Sequence, residues 1–553
     1  MLKVVICALN SKFVHSCLAP WYLKATVDNL SADTECRIIE GTINEKEEEI
    51  LKRILTSDAD AVAFSAYIWN ISLVLSLAKK IKEGRSVKIL LGGPEVSYNA
   101  KEILQENPFV DYVISGEGEI PFARLCQGVD PKQIDGLCYR DGEKIVVKEP
   151  FIMVSDPPSP YTKDYLEALN GRIAYLETSR GCPYRCAFCL SGRCGGVRFF
   201  DIERSKKDIL ILANSGTKTV KLIDRTFNAD KKRAKEIFEF IINSYGKEIP
   251  TGVCFHFEIE GDILDKETIA VLAGAPVGLF QMEIGLQSFN VETLNAIDRR
   301  TNMEKLCENI KLLLAPQNIH IHIDLIAGLP FEDMKSFENS FNRAIALRPH
   351  MLQLGFLKLL HGAKLREEPS ESDFNYNLEP PYEVKSTKWL SQNEVEALHV
   401  IEDFFDRFYN SGRFPRLNEY LLNSVENPFK LYTGFALFVK KYEKSRTLDE
   451  LSLIVYQYLC SNIENENIIR DLMAMDRLST NKMGALPEFL KIHSPKLKEY
   501  LNELEKDPKT KKKQGIKRAI TLLSSEDSFV YVDYDFQNPV TGKYEIFKRR
   551  NFT

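Results

Sequence analysis

No window of the sequence approaches the ~18 uninterrupted apolar residues of a membrane span. Basic charge is not in excess either. Lys and Arg number 73 against 78 Asp and Glu, a net charge of −5, which excludes a globally basic nucleic-acid coat though not a local patch. Internal repeats and low-complexity segments are absent. The N-terminus, MLKVVICALN, lacks the charged n-region, long apolar h-region and cleavage site of a secretory leader and reads as a strand. A cytoplasmic location is therefore expected. What the sequence does have is length. Its 553 residues suggest about three or four domains at roughly 150 residues each. With 44% hydrophobic residues there is material for a core that needs no disulfides. The twelve cysteines are expected to be reduced and unpaired.

Short apolar runs at 2–8, 37–40, 61–66, 88–93 and 112–119 alternate with helix signals such as 73–83. Continuous apolar strands between helices predict a parallel sheet covered on both faces. The repeated strand-to-glycine pattern predicts a Rossmann-like, doubly wound domain over 1–150, with ligands beyond the strand C-termini. A hairpin-like segment (136–150) ends it, and a proline-rich stretch within 151–172 reads as a linker. Over 173–365, candidate strands at 174–179, 219–224, 251–259, 279–285, 319–328 and 351–359 are separated by helices. Six such units suit a (β/α)6 partial TIM barrel, since a complete eight-unit barrel takes about 250 residues. The fold class is thus α/β, followed over 380–553 by a mainly helical domain with a terminal strand pair (529–549) around a PVTG turn.

Three cysteines stand apart from the scattered ones. Cys182, Cys186 and Cys189 form C-x3-C-x2-C in GCPYRCAFC. Thiolates are soft ligands for zinc or iron–sulfur clusters. Zinc sites usually need a second knuckle, and the spacing of His320 and His322 does not supply one. Three cysteines in one loop can instead hold three irons of a [4Fe–4S] cluster, leaving the fourth iron open. Cys194, just beyond, reads as a free core thiol.

With Phe188 as the aromatic before the last cysteine, this loop resembles the signature of radical S-adenosylmethionine (radical SAM) enzymes. The resemblance implies a [4Fe–4S] cluster whose open iron chelates the cofactor, and one-electron cleavage to a 5′-deoxyadenosyl radical. Later segments resemble the family's other cofactor contacts. LIDRTFN (222–228) would place Asp224 facing the cavity, and FHFEIEGD (255–262) makes Glu258 or Glu260 the ribose contact. EIGLQSFNVETLNAIDRR (283–300) resembles the fifth unit of the Elongator-like radical enzymes, with Gln287, Ser288 and Arg299. An Arg there can pair bidentately with the cofactor carboxylate. IDLIAGLPFE (323–332) resembles the strand flanking adenine, with Gly328 permitting close backbone approach. The plainer reading of Glu258, Glu260 and Arg299 is surface salt bridging.

Residues 1–150 resemble the cobalamin-binding domain found ahead of many such enzymes. The resembling pieces are 8–16, 65–70, 90–97 and 113–119. Gly92, Gly93, Gly116 and Gly118 would let the backbone approach the corrin or its tail. Ser65 would hydrogen-bond the tail, and Glu117 belongs to the last loop. The D-x-H-x-x-G motif is absent. Either His15 ligates cobalt from below or no protein nitrogen does; the second is preferred. A degenerate domain that only caps the barrel is the plain alternative. As a whole the chain resembles cobalamin-binding-domain radical SAM enzymes, class B methylase-like, with an extra C-terminal domain of unassigned role. That implies methylation of an unactivated carbon through methylcobalamin. The alternatives are cyclisation, rearrangement or sulfur insertion without net methylation, including on tRNA, or a non-catalytic cofactor-binding sensor. Implied partners are a small-molecule, lipid, peptide or tRNA substrate and an electron donor such as flavodoxin or ferredoxin. Lys509, Lys511, Lys512, Lys513, Lys517 and Arg518 form a basic run that could meet phosphate; a solvated loop is the preferred reading.

Overall fold

The computed structural model describes residues 1–368, 373–442, 447–463, 465–482 and 485–550, with Cys194 described by its backbone alone. Its first sheet contains β1 (Leu2–Asn10), β2 (Thr34–Thr42), β3 (Ala61–Ser65), β4 (Lys88–Gly92), β5 (Tyr112–Ile114), β6 (Leu137–Asp141) and β7 (Lys144–Val146). The spatial order is β2-β1-β3-β4-β5-β6-β7, parallel through β5 and antiparallel after it. Val4 to Leu9 are all buried because helices cover both faces of β1. The winding reverses beside β1, and in such sheets the ligand crevice lies there, beyond the strand C-termini. The strand expected over 112–119 stops at Ile114. Gly116 then takes φ +87, which ends the ladder.

The second sheet is formed by β8 (Ala174–Leu176), β9 (Thr219–Leu222), β10 (Cys254–Ile259), β11 (Phe280–Gln287), β12 (Ile319–Ala327) and β13 (Met351–Phe356). Each pairs in parallel with the next in sequence. Side chains alternate across such strands. Phe255, Phe257, Phe280 and Met282 are buried in the main core. Phe238 of the helix Lys231–Ser244 meets Phe257 and Phe280 edge-on at 5.0 and 5.5 Å. The alternate residues, including His256, Glu258, Glu283, His322 and Asp324, face the lumen. β9 ends two residues before Asp224, which therefore lies past the strand exit. The stretch expected as an extended linker contains a helix, Lys163–Leu169, whose Tyr165 packs against Trp21 at 5.5 Å.

The C-terminal region opens with the helix Gln392–Phe405, started by a Ser391–Glu394 capping box. It is not a separate core. Phe341 of the barrel helix Met334–Ile345 sits among Phe405, Phe429 and Tyr432, within the same cluster that fills the barrel exterior. The expected terminal strand pair is a three-stranded antiparallel sheet of β14 (Arg518–Leu522), β15 (Ser528–Asp533) and β16 (Phe547–Arg550). Arg518, read as part of a basic run, supplies the extra strand. Its guanidinium is withdrawn from solvent and donates to both Asp533 oxygens at 2.6 Å. Among the described residues no helix is long and apolar enough to cross a membrane.

Candidate active site

The loop carrying the cysteine triplet leaves β8 and folds tightly on itself. Gly181 has φ +89, and a Cβ there would lie 2.0 Å from the Gly196 carbonyl oxygen; one on Gly192 would lie 2.1 Å from that of Tyr184. No other residue fits either position without moving backbone. The loop is pinned to the barrel by Ala187 N–H donating to Ile297 O (2.9 Å) and Leu365 N–H donating to Ala187 O (3.0 Å). Cys182 Sγ lies 3.3 Å from Thr226 Oγ1. Arg299 Nη1 donates to Cys186 Sγ at 3.7 Å, and Ser191 N–H to Cys189 Sγ at 3.4 Å. Phe188 packs half-buried against the small apolar cluster of Ala187, Leu294 and Ile297. The Cys194 side chain lies outside the described residues. The other described cysteines are free thiols, and burial pushes Cys7, Cys36 and Cys126 up to about 12, which makes them inert.

Next to the triplet, Glu260, Gln287 and Arg299 converge on Gly285. Arg299 Nη2 donates to Glu260 Oε2 at 2.7 Å and also to the Gly285 carbonyl. A Cβ on Gly285 would lie 2.3 Å from Gln287 Nε2. Both partners of the Arg299–Glu260 pair are nearly inaccessible, so this is not the surface salt bridge of the plainer reading. Burial is the main cause lifting the Glu260 carboxyl to about 7. Glu260 Oε1, Gln287 Oε1 and Arg299 Nε are buried without hydrogen-bond partners. Buried polar atoms are rarely left so, and three in one place mark unfilled hydrogen-bonding capacity. Glu258 is separate, half-buried one side-chain layer down, with Arg225 Nη1 3.7 Å away.

Two expected contacts lie elsewhere. Asp224 does not face the cavity. It is buried and accepts hydrogen bonds from Thr178 N–H (2.8 Å), Thr178 Oγ1 (2.5 Å) and Ser179 Oγ (2.8 Å), fixing the β8 exit. Ser288 is fully buried and donates to Glu332 Oε1 at 2.7 Å. Gly328 takes φ +87, and a Cβ there would meet Val384 at 3.5 Å, so a C-terminal segment walls that corner.

At the C-terminal edge of the first sheet, His15 Nδ1 is 2.8 Å from the Tyr175 hydroxyl of the barrel. Ser65 is buried, its hydroxyl 3.9 Å from Cys17 Sγ. A Cβ on Gly92 would meet only Ile114, at 3.9 Å, so this position is open. Gly93 and Gly116 have other reasons to be glycine. At both, φ is positive, and a Cβ would lie 2.4 Å from Ala66 O and 2.3 Å from Phe151 O respectively. Gly118 begins the helix Glu119–Cys126 and approaches Leu23. Two exposed aromatics rim this edge: Phe13, and Trp69 stacked on Tyr67 at 4.4 Å.

Glu117 does not point to a ligand crevice but to the barrel. It meets Arg180 Nη1 at 3.1 Å and pairs with Arg198; burial pushes its carboxyl up, but the Arg198 hydrogen bond and the Arg180 charge together hold it below the usual range. Arg180, two residues before Cys182, also reaches Glu119 (2.6 Å) and Glu177 (3.0 Å). This buried network joins the first sheet to the cysteine loop. Sequence reasoning missed Arg180 and Arg225. The signal for Arg180 was its place in TSRGC; Arg225 had none beyond adjoining Asp224. Arg225 is half accessible and lies 3.7 Å from Glu258, and the charges of Glu258, Cys189, Tyr67 and Glu177 favour its cationic form.

Comparison with known proteins follows these units. Residues 4–126 match the B12 binding domain, 176–344 the Radical SAM superfamily, and 370–535 a protein of unknown function, DUF4080. The chain is 27% identical over 328 residues to 2-(S-pantetheinyl)-carbapenam-3-carboxylate methyltransferase of Streptantibioticus cattleyicolor, covering 53% of this chain and 46% of that one. It is 28% identical over 368 residues to the cobalamin-dependent radical SAM methyltransferase TokK of Streptomyces tokunonensis, covering 62% and 53%. The chain thus spans about half the length of these curated relatives. Among solved structures, the radical S-adenosylmethionine methyltransferase TsrM from Kitasatospora setae, with cobalamin and a [4Fe–4S] cluster bound, superposes with a TM-score of 0.55 at 16% identity, over 66% of this chain and 74% of that one. At that identity the likeness is one of fold. The chain therefore carries a B12 binding domain, a radical SAM domain and a DUF4080 region, and is a homologue of the cobalamin-dependent radical SAM methyltransferases.

Proposed function

We propose that this chain is a cobalamin-dependent radical S-adenosylmethionine methyltransferase that acts on a carbon without an activating group. What carries the reading is one juxtaposition: the cysteine loop and the ligand-binding edge of the first sheet are locked together by Arg180, two residues from Cys182. The residues present fit the groups the reading requires. Cys182, Cys186 and Cys189 are a soft donor set on a loop that glycines keep tight, and would hold a [4Fe–4S] cluster. The unpartnered atoms of Glu260, Gln287 and Arg299 fit the hydroxyls and charged groups of S-adenosylmethionine. The open Gly92 position and the Trp69 and Phe13 rim fit a broad apolar macrocycle such as a corrin.

When bound, these groups supply one-electron cleavage chemistry and a transferable methyl group. The chain's own residues position them. Arg299 bridges Cys186 and Glu260, so cluster loop and nucleoside cradle move as one body. Glu260, with a carboxyl near neutrality, can accept a ribose hydroxyl proton in a hydrogen bond as an anion or donate one as an acid. His15 is held through Nδ1 by the Tyr175 hydroxyl, which fixes its ring at the junction of the first sheet and the barrel. Val384 and the paired 382–384 segment close one side of the lumen against water. An external one-electron donor such as flavodoxin or ferredoxin, in a reducing cytoplasm, completes the reading.

The test is anaerobic incubation of reconstituted protein with extract from a deletion strain and methyl-labelled S-adenosylmethionine. Label should enter a product in step with S-adenosylhomocysteine and 5′-deoxyadenosine, and Cys186→Ala should abolish it. Formation of 5′-deoxyadenosine without S-adenosylhomocysteine would instead mark a rearrangement or insertion, and overturn methyl transfer.

A further inference from the structure

The barrel lumen holds a second set of ligand-type side chains away from the cysteine loop. Glu283 on β11 stands in register beside His322 on β12, and Asp324 follows two residues along, on the same face. Their donor atoms all lie within 4.8 Å of one another. His322 is 6% exposed. Its Nε2 is 2.9 Å from Asp324 Oδ1, yet neither atom is in a hydrogen bond: the contact is short but misaligned. A buried imidazole nitrogen and a carboxylate oxygen left in that relation are costly unless something else satisfies both. Two donors each ~2.1 Å from a common metal ion, at roughly a right angle, stand about 3 Å apart. The 2.9 Å separation suits two ligands of one ion as well as an ion pair, and it is the poor hydrogen-bond alignment that favours the first.

The surroundings fit as well. Lys221 Nζ (3.2 Å) and His256 Nε2 (3.0 Å) both contact Glu283 Oε2 and orient the carboxylate, leaving Oε1 for another partner. Ligating carboxylates are usually held this way by outer hydrogen bonds. One imidazole and two carboxylates suit a divalent first-row ion of the zinc or manganese kind. Three protein donors leave coordination positions open to the lumen, where Asp324 and Glu283 are still partly accessible.

We propose that Glu283, His322 and Asp324 bind one divalent transition-metal ion in the barrel lumen, distinct from the Cys182–Cys189 site. This goes beyond the methyl-transfer reading and does not depend on it, because metal binding is measured without turnover. The full chain, with its cluster reconstituted so that the three thiolates are occupied, is titrated with Mn2+ against the free-ion EPR signal. Zn2+ is followed by equilibrium dialysis and elemental analysis. A chain carrying Cys182→Ala, Cys186→Ala and Cys189→Ala serves in the same way if no cluster assembles. The wild-type lumen should bind about one equivalent of one of these ions. His322→Ala and the near-isosteric Asp324→Asn should each weaken binding at least ~tenfold, with circular dichroism unchanged. Absence of binding of both ions to the wild-type lumen, or binding to Asp324→Asn equal to wild type, would overturn the proposal.

Discussion

Glu332 shows what single buried residues contribute here. Its Oε1 accepts from Ser288 (2.7 Å) and Ser340 (3.0 Å), while Oε2 is buried without a partner. Burial raises the carboxyl from 4.5 to about 7. The folded chain therefore keeps a proton that the unfolded chain releases. Its contribution to stability is full below pH ~4.5 and is lost as pH rises through ~7, about 3 kcal/mol in all. Glu332→Gln should remove that dependence, so its melting temperature should exceed the wild-type value at pH 8 but not at pH 4.5. Equal pH slopes for the two proteins would contradict this. The example also explains what the sequence could convey about the site. The order of motifs along the chain led to Cys186, Glu260, Gln287 and Arg299, and these lie together because neighbouring strand exits bring them there. Ser288 and Asp224 belong to the same motifs, but their side chains turn into the scaffold, as alternation along a strand end and the length of β9 decide. A motif specifies position, not direction.

At the level of elements, the strands were legible because apolar runs and glycine breaks are local signals. The contacts between units were not. Arg180 answers Glu117, Glu119 and Glu177, three carboxylates in two separate segments, and no periodicity joins them. The third strand of the terminal sheet was hidden in the same way, since its Arg518 looks like one more surface cation until Asp533 lies opposite it. Removing one member of a buried ion network typically costs about 3–5 kcal/mol, because the remaining charges stay desolvated. Arg180→Ala should loosen the first sheet from the cysteine loop by an amount of that order. Limited proteolysis between Pro150 and Thr162 should quicken accordingly; an unchanged cleavage rate would show that the network does not hold the two together.

Across the whole molecule, the C-terminal region proves to be part of the frame around the site. Its core is continuous with that of the barrel. The Tyr382 hydroxyl donates to Glu95 on the glycine loop after β4, and Tyr98 of that loop packs on Gly362, where a Cβ would lie 2.3 Å from its ring. Three regions thus meet at one loop, a relation invisible in a sequence where each reads as its own unit. Tyr382→Phe leaves the buried Glu95 carboxyl without its donor, which costs about 1–3 kcal/mol. Amide hydrogen exchange over residues 92–98 should accelerate, and unaltered exchange would refute the coupling. On the proposed reading, one chain holds both a cluster and a corrin. This is tested most directly by counting metals in anaerobically reconstituted protein. The account predicts about four iron atoms and one cobalt per chain, with Cys186→Ala losing iron while keeping cobalt. Full iron with no retained cobalt would contradict it.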